Sequence, residues 1–366
     1  MKPHKIYASH VEPDALKQFY SALELDCVVR GALMPDAHTG YTLPIGGVVA
    51  TEGVVFPSFV GYDIGCGMCA APIRHLDPLD ARRVAQVWMN EIYAKIPVGM
   101  KNNDRATEST LNPGDLTDRA REAFDIRGGF SALGTLGSGN HFIEIGEDET
   151  GQVWIVIHSG SRGPGWKVAQ EYMKLASGDG KAREGHYGLR VDSQDGQDYI
   201  NDMNWMLSFA LDNRKEMMHR VDEIIGRWID WDFLINRNHN HATVKVVDGQ
   251  TLWIHRKGAT HAEEGMDGVI PGNMRDGSFI VRGKGNPDSL WSSSHGAGRV
   301  LGRAEAKKVL TLDQFSATMQ GVVAKVGEGT LDEAPMAYKD IFQVMREQAD
   351  LVEIVHHVRP ILNIKG

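Results

Sequence analysis

Residues 62–70, with the sequence YDIGCGMCA, place an acid, Asp63, ahead of two cysteines, Cys66 and Cys69. Carboxylates and thiolates are metal ligands, and two cysteines separated by two residues also form redox pairs. Three kinds of site are compatible with this segment: a thiol redox centre, a structural zinc site, or a metal site on Asp63 and Cys66. In the third, Cys69 is a small buried residue.

We favour the third kind of site. A redox pair of this spacing lies at the N-terminus of a helix, which lowers the thiol pKa, whereas the segment AAPIRHL after Cys69 predicts a strand. A structural zinc site needs a second close pair of Cys or His ligands. Cys27 is the one remaining cysteine, and the HNH segment at 239–241 is a poor substitute for a pair.

Histidines also occur in glycine-rich or strand-ending segments elsewhere in the chain. The segments GSGNHFIE, VIHSGSRG, NHNHA and SSSHGAGR contribute His141, His158, His239, His241 and His295. A single histidine of this kind is more often structural than functional. Together, beside turns that a rigid scaffold can hold in place, they predict a metal site assembled from several strand ends.

Composition limits the classes of protein that this chain can belong to. It has 366 residues, 42% of them hydrophobic, three cysteines and a formal net charge of −9. Three cysteines are too few for a disulfide framework, and the charge argues against a basic coat for nucleic acid but leaves room for a local basic groove. No segment resembles a signal peptide or a membrane span, so we expect a cytoplasmic protein with no membrane partner.

Local patterns predict the elements that must position these residues. Apolar residues at helical spacing predict helices over 79–96 and 199–228, and we interpret the second stripe as core packing. Strands are predicted over 68–76, 140–147 and 153–160, with a hairpin over 241–258 that turns at Asp248-Gly249. Because strands come in neighbouring pairs, we expect the α+β class, with mixed or antiparallel sheets and surrounding helices in a single large domain over 1–366.

Nine segments follow one another along the chain: MPDAHTGYTLPIGGVVAT, VGYDIGCGM, GTLGSGNHFIEI, IHSGSRGPG, NHNHA, RKGAT, IPGNMRDGSFIVRG, HGAGR and the terminal IKG. In this order they resemble the signature blocks of the RtcB family of GTP-dependent RNA ligases, from about Leu33 to Gly366. One block alone is weak evidence, whereas nine in order are highly specific. The resemblance implies an RtcB-like fold with a central metal and nucleotide cleft.

The resemblance also implies a ligand set. Asp63, Cys66 and His141 would hold one Mn²⁺, and Cys66 would bridge to a second Mn²⁺ held by His158 and His239. His241 is an alternative ligand, but His239 fits the family block better. Cys69 is not expected to be a ligand, although a second soft ligand nearby would also suit Zn²⁺ or another divalent ion.

The activity implied by the resemblance is the joining of RNA ends. His295 would attack the α-phosphorus of GTP, and the resulting guanylyl-histidine would activate an RNA 3′-phosphate, or an opened 2′,3′-cyclic phosphate, for attack by a 5′-hydroxyl. RNA repair or tRNA splicing would use this reaction, with a possible activator of the archease type.

The remaining blocks would supply the nucleotide and RNA contacts. The implied GTP-binding residues are Asn140, His141, Phe142, Ile143, Glu144, His239, Asn240, Pro271, Gly272, Asn273, Met274, Ser278, His295, Gly296, Ala297, Gly298 and Lys365. Arg162 and Lys257 are the leading RNA-binding candidates, followed by Arg256, Arg299 and Arg303, the last two aligned with Lys307 at helical spacing. Asp36 and His38 could serve a turn or catalysis.

Three other functions remain open at this point. A metal-dependent phosphodiesterase or phosphatase acting on RNA ends would use the same cluster but would need neither GTP nor His295. A non-catalytic nucleotide-binding or RNA-binding module would keep the pocket without a complete ligand set. A redox protein would need Cys66 and Cys69 to alternate between the dithiol and the disulfide.

Overall fold

The computed structural model describes residues 2–366, which contain seventeen strands and nine helices. The strands in chain order are β1 (His4–Ile6), β2 (Val28–His38), β3 (Ile45–Glu52), β4 (Val54–Val55), β5 (Gly67–Pro72), β6 (Phe142–Glu147), β7 (Val153–Ser159), β8 (Leu189–Arg190), β9 (Ile235–Asn238), β10 (Asn240–Val247), β11 (Gln250–Lys257), β12 (Ala259–His261), β13 (Asp267–Pro271), β14 (Ser278–Gly283), β15 (Ser292–Ser294), β16 (Val323–Ala324) and β17 (Val352–Lys365). The helices are α1 (Pro13–Leu23), α2 (Pro57–Val60), α3 (Pro78–Lys95), α4 (Asp118–Ile126), α5 (Arg162–Ser177), α6 (Gln194–Ile225), α7 (Arg303–Val309), α8 (Leu312–Thr318) and α9 (Ile341–Glu347).

Two main sheets organise these elements. The smaller has the strand order β1-β2-β3-β11-β10, and the larger has the order β13-β14-β17-β6-β7-β5-β9, with β16 paired to β17. The pairs β12-β15 and β4-β8 form two-stranded sheets. Two strand pairs, β1-β2 and β16-β17, are parallel, so the sheets are mixed. The predicted α+β class with surrounding helices is confirmed.

Strand direction explains why motifs far apart in sequence meet in space. Antiparallel neighbours alternate in direction, so the start of one strand lies beside the end of the next. In the larger sheet the ends of β17, β7 and β9 therefore lie beside the starts of β6 and β5. Phe142, for example, is paired with both His158 and Lys365. The sequence segments attached to these strand ends therefore all lie at one edge of the larger sheet.

The smaller sheet brings its own chain segments towards this edge. The ends of β2 and β11 lie beside the starts of β3 and β10, with His38 paired to Ile45 and Lys257 paired to Asn240. The short strand β15 pairs with β12 and ends directly before His295. The candidate site therefore lies where strand ends of the two sheets converge.

Helix α6 carries the predicted apolar stripe into the core. Tyr199, Met203, Met206, Ala210, Met217 and Val221 are all fully buried, so the interpretation of this stripe as core packing is confirmed. The helix begins at Gln194 and ends at Ile225, which leaves Trp228 outside it and 43% exposed. Among residues 2–366 no helix combines the length and apolar composition of a membrane span.

The other predicted elements agree closely with the structure. The helix expected over 79–96 is α3, and the pair expected over 140–147 and 153–160 is β6 and β7. The hairpin is β10-β11, whose turn residues Asp248 and Gly249 both have positive φ, as a tight two-residue turn requires. The strand expected over 68–76 is shorter and ends at Pro72.

Candidate functional site

A tight turn between α2 and β5 presents the first two predicted ligands. The Cys66 amide donates to the Asp63 carbonyl oxygen (3.1 Å), and Gly65 between them has a φ of +73°. The turn also needs a glycine opposite it, since a Cβ at Gly160 would lie 2.2 Å from Asp63 Oδ1. Gly160 thus leaves room for the carboxylate, which accepts from the Ser161 amide at 3.2 Å.

Two overlapping clusters form around the Cys66 thiol. In the first, His141 Nε2 lies 3.4 Å from Cys66 Sγ and 3.1 Å from Asp63 Oδ2. In the second, His158 Nε2 lies 3.3 Å from the same sulfur and 3.3 Å from His239 Nε2. The ligand atoms within each cluster lie within 4.8 Å of one another. The structure therefore brings together all five predicted metal ligands, with Cys66 shared between the clusters.

Hydrogen bonds on the far side of the rings fit these clusters to metal ions. His141 Nδ1 contacts the Leu136 carbonyl oxygen at 2.9 Å, and His158 Nδ1 contacts the Asn140 carbonyl oxygen at 3.1 Å. A carbonyl only accepts, so each Nδ1 carries the proton and each Nε2 lone pair faces the cluster. Lone pairs that converge on a thiol and a carboxylate are the donor set of a divalent transition metal.

Burial controls protonation in these clusters. Burial and neighbouring histidines hold the pKa of His158 and His239 well below the ordinary value, so both rings are neutral at pH 7. Burial, followed by the Asp63 charge, raises the pKa of the Cys66 thiol well above its usual value. A thiolate at this position therefore needs a cation beside it, which a bound metal supplies.

Cys69 and His241 lie apart from the two clusters. Cys69 is fully buried in the core on β5, and burial raises its pKa to about 12, so the thiol is inert. His241 stacks on His261 with ring centroids 4.4 Å apart, and neither of its nitrogens has a hydrogen-bond partner among residues 2–366.

Arg214 on α6 ties the ligand-bearing segments together. Its fully buried guanidinium donates to the Gly65 carbonyl (2.8 Å) and the Ser159 carbonyl (2.9 Å). It also donates to the side-chain oxygens of Asn236 (2.7 Å) and Asn238 (2.6 Å) on β9. Gly65 adjoins Cys66, Ser159 follows His158 and Asn238 precedes His239, so one side chain contacts three segments that carry ligands. Sequence reasoning missed this residue, because nothing local marks a helical arginine as buried.

His295 lies next to the second cluster, with its ring centroid 4.8 Å from that of His239. Asp36 at the end of β2 accepts from His295 Nδ1 (2.6 Å) and from the amides of His295 (3.1 Å) and Gly296 (3.3 Å). Burial would raise the pKa of Asp36, but His295 holds it below the ordinary value. Asp36 therefore stays ionised and orients the imidazole with its Nε2 free.

A cavity of about 300 Å³ joins His295 to the metal clusters. Its lining includes most of the nucleotide-binding residues inferred from the family resemblance: Asn140, Phe142, Glu144, His239, Asn240, Pro271, Gly272, Asn273, Met274, His295, Gly296, Ala297, Gly298 and Lys365. Ile143 does not line it, because alternation along β6 turns that side chain into the hydrophobic core. Asn363, which shares a face of β17 with Lys365, lines the cavity and was missed.

Glu144 is the buried acid of this cavity. Ser278 Oγ donates to it at 3.1 Å and Asn363 Nδ2 at 3.0 Å, so Ser278 acts through Glu144 rather than at the cavity surface. Burial raises its pKa to about 7. Lys365, which also lines the cavity, pairs with Glu333 at 2.7 Å.

The basic residues proposed for RNA lie mostly inside the protein. Arg162 donates to Gly99 O (3.0 Å) and lies 3.4 Å from His141 Nδ1. Lys257 is buried and pairs with Glu184 at 3.5 Å.

The other basic candidates are also engaged within the fold. Arg256 is fully buried and bonded to Ser292, so the structure gives it no surface for RNA. Arg299 precedes α7 and does not share a helix face with Arg303; both instead pair with Glu333.

The chain matches one family of known proteins over nearly its whole length. A family model described as "tRNA-splicing ligase RtcB" matches residues 18–127 and 114–366. The chain is 36% identical to the RNA-splicing ligase RtcB of Escherichia coli (strain K12), over 97% of this chain and 95% of that protein. It is 31% identical to the tRNA-splicing ligase RtcB of Nanoarchaeum equitans over all of this chain and 95% of that one. The corresponding protein of Pyrobaculum aerophilum is 28% identical, again over all of this chain.

Proposed function

This chain belongs to the RtcB family of RNA ligases, and from that premise we propose that it joins RNA ends in RNA repair or tRNA splicing, using GTP and Mn²⁺. One end carries a 3′-phosphate or 2′,3′-cyclic phosphate and the other a 5′-hydroxyl. The observation that carries the proposal is that His295 and Glu144 line one cavity together with four of the five metal-ligand candidates, Asp63, Cys66, His158 and His239. Residues 1–366 would act as a single ligase domain.

Five side chains would hold two divalent ions, with Cys66 shared between them. Asp63 and His141 would complete one site, and His158 and His239 the other. When bound, such ions neutralise phosphate oxygens, which lets a neutral nucleophile approach phosphorus. The burial of the cluster would strengthen this effect, because charge is screened less in a dry cavity.

His295 is the proposed nucleophile. Its Nδ1–H is bonded to Asp36 at 2.6 Å, so the Nε2 lone pair would be free to attack the α-phosphorus of GTP. An N–P bond forms, the bond to the bridging oxygen breaks, and pyrophosphate leaves with the electron pair. The buried Asp36 carboxylate would stabilise the positive charge that develops on the ring.

The guanylyl group would then pass to RNA. An oxygen of the RNA 3′-phosphate attacks the same phosphorus, the N–P bond breaks and His295 is restored. The 5′-hydroxyl of the second end attacks the activated 3′-phosphate, a phosphodiester forms, and GMP leaves. A cyclic end would first be opened by water to the 3′-phosphate.

Glu144 and Lys365 would select the nucleotide. A carboxylate can accept hydrogen bonds from the N1–H and 2-amino groups of guanine, which adenine lacks in this arrangement. Burial raises the pKa of Glu144 to about 7, and hydrogen bonds donated by a bound guanine would favour the ionised carboxylate. Lys365 adds a positive charge beside the cavity.

Labelling with [α-³²P]GTP and Mn²⁺ tests the proposal. We expect acid-labile, alkali-stable label on the chain, lost in His295→Ala and in Cys66→Ala but retained in Cys69→Ala, whose thiol is outside the clusters. A phosphodiesterase, phosphatase or binding module would acquire no label. Joining of a 3′-phosphate end to a 5′-hydroxyl end without GTP would also contradict the mechanism. An archease-type activator is expected to raise turnovers per enzyme.

A further inference from the structure

An aromatic stack lies on the surface directly beside the metal-binding turn. The rings of Tyr62 and Trp166 are stacked at 5.5 Å with an interplanar angle of 22°. Tyr62 immediately precedes Asp63, and Trp166 lies on the first turns of α5, close after His158. Trp166 remains 36% exposed, so the stack offers an aromatic surface to solvent next to a partly open carboxylate.

Arg127 adds an uncommitted positive charge to this surface. Its guanidinium carbon lies 5.3 Å from the centre of the Trp166 ring, and the side chain packs against Gly163. Arg127 is exposed, and its guanidinium makes no hydrogen bond or ion pair with any residue in 2–366. All of its donors are available to an external anion.

The surface continues towards Lys257 on the other side of Tyr62. A Cβ built at Gly61, which precedes Tyr62, would lie 3.5 Å from Lys257 Cε. The Lys257 ammonium in turn lies 6.0 Å from the ring centre of Tyr41, which is 76% exposed. Because Lys257 itself is buried and paired with Glu184, the exposed ring of Tyr41 is what extends the aromatic surface at this end.

We propose that the Arg127–Trp166–Tyr62 surface binds an unpaired nucleotide of the RNA substrate beside the broken end, with its base stacked on the aromatic rings and its phosphate bonded to Arg127. This inference rests on the proposed function, which supplies the RNA. Every base has a π-face, so stacking of this kind tolerates any sequence, and a cation beside the rings suits the backbone. The chain's charge of −9 disfavours broad electrostatic attraction, so a local platform next to the metals is where RNA affinity has to be concentrated.

A fluorescent base analogue tests the stacking directly. The probe is a single-stranded 12-nucleotide RNA with a 3′-phosphate and 2-aminopurine near that end, titrated with the full-length protein loaded with Mn²⁺. We expect quenching on binding, with Trp166→Ala weakening binding about tenfold and abolishing most of the quenching. Trp166→Phe keeps an aromatic face and should retain both.

Two further variants separate stacking from general effects. Trp228, which follows the C-terminal end of α6, is also an exposed tryptophan (43% against 36% for Trp166), and Trp228→Ala should leave affinity and quenching unchanged. Arg127→Gln should reduce the slope of log K against log salt by about 0.7, the loss of one single-strand phosphate contact.

The outcomes distinguish this inference from the proposed ligase activity. Guanylylation is measured with GTP and Mn²⁺ in the absence of RNA, and it should be normal in Trp166→Ala. Loss of label in this variant would mean that Trp166 acts through the fold, and it would overturn the inference. Unchanged RNA affinity in Trp166→Ala, or an equal loss in Trp228→Ala, would also overturn it. If the wild-type protein binds the RNA with quenching but acquires no label from GTP, the ligase mechanism is refuted and the proposal for the Arg127–Trp166–Tyr62 surface is not.

Discussion

Replacing Arg214 by lysine should weaken metal binding as well as folding, because this guanidinium holds the ligand-bearing segments in register. The native side chain donates to four acceptors: the buried carbonyl oxygens of Gly65 and Ser159 and the half-buried side-chain oxygens of Asn236 and Asn238. Burial lowers its pKa only to about 10, so it stays charged at pH 7. A lysine ammonium has three protons at one point and cannot reach acceptors that a planar fork spans.

The size of the effect follows from the acceptors left unpaired. We expect two of the four to lose their donor, at about 1–3 kcal/mol for each buried group, which gives a destabilisation of about 2–6 kcal/mol. That is a large share of the roughly 5–15 kcal/mol by which proteins are typically stable. Displacing residues that orient ligands typically costs 10–100-fold in metal affinity, and we expect a loss of Mn²⁺ affinity in this range.

Arg256 provides the matched control for this experiment. It is also fully buried, and it donates to Ser292 Oγ (2.8 Å) and Thr243 Oγ1 (3.1 Å) away from the ligand turn. Arg256→Lys should therefore lose comparable stability and keep its Mn²⁺ affinity. Stability is read from urea unfolding midpoints in EDTA, and affinity from the free Mn²⁺ signal in electron paramagnetic resonance.

A milder variant protects the test against loss of folding. Asn236→Ala removes one acceptor of Arg214 and should lower Mn²⁺ affinity less than Arg214→Lys does, at a cost of about 1 kcal/mol of stability. A Mn²⁺ affinity within twofold of the wild type in both Arg214→Lys and Arg256→Lys, with both variants destabilised, would contradict this role of Arg214.

Two other variants test the acids of the cavity. Asp36→Asn should slow guanylylation by at least about 10²-fold with unchanged Mn²⁺ affinity, because the amide can donate to His295 Nδ1 and so move the ring proton to Nε2; a rate within tenfold of the wild type would contradict this role. The second is Glu144→Gln. Glu144 has a folded pKa of about 7 against an ordinary 4.5, so between these pH values the folded state holds a proton that the unfolded state has lost, and stability falls as pH rises. The free energy of unfolding of Glu144→Gln, relative to that of the wild type, should therefore increase by about 3 kcal/mol from pH 4.5 to 7. Urea unfolding measures both values, and a difference between them that does not change with pH would refute the assignment.

The sequence alone was sufficient for the local elements and the family. Helical spacing predicted α3 and most of α6, alternation predicted β6 and β7, and Asp248-Gly249 predicted the β10-β11 turn, because each signal lies within one short segment. The ordered motifs identified the RtcB family. Residue types beside glycine-rich turns predicted a metal site on Asp63, Cys66 and several histidines, and the family resemblance selected His141, His158 and His239 among them.

Tertiary structure decided which of these side chains face the cavity and which support it. Ile143 and Glu144 are neighbours in a motif, yet the position of the core puts one inside and the other in the cavity. Arg256 became an internal residue, while Asp36, Arg214 and Asn363 gained partners hundreds or tens of residues away. Such roles depend on strand register and on partners distant in sequence, and no local pattern records either.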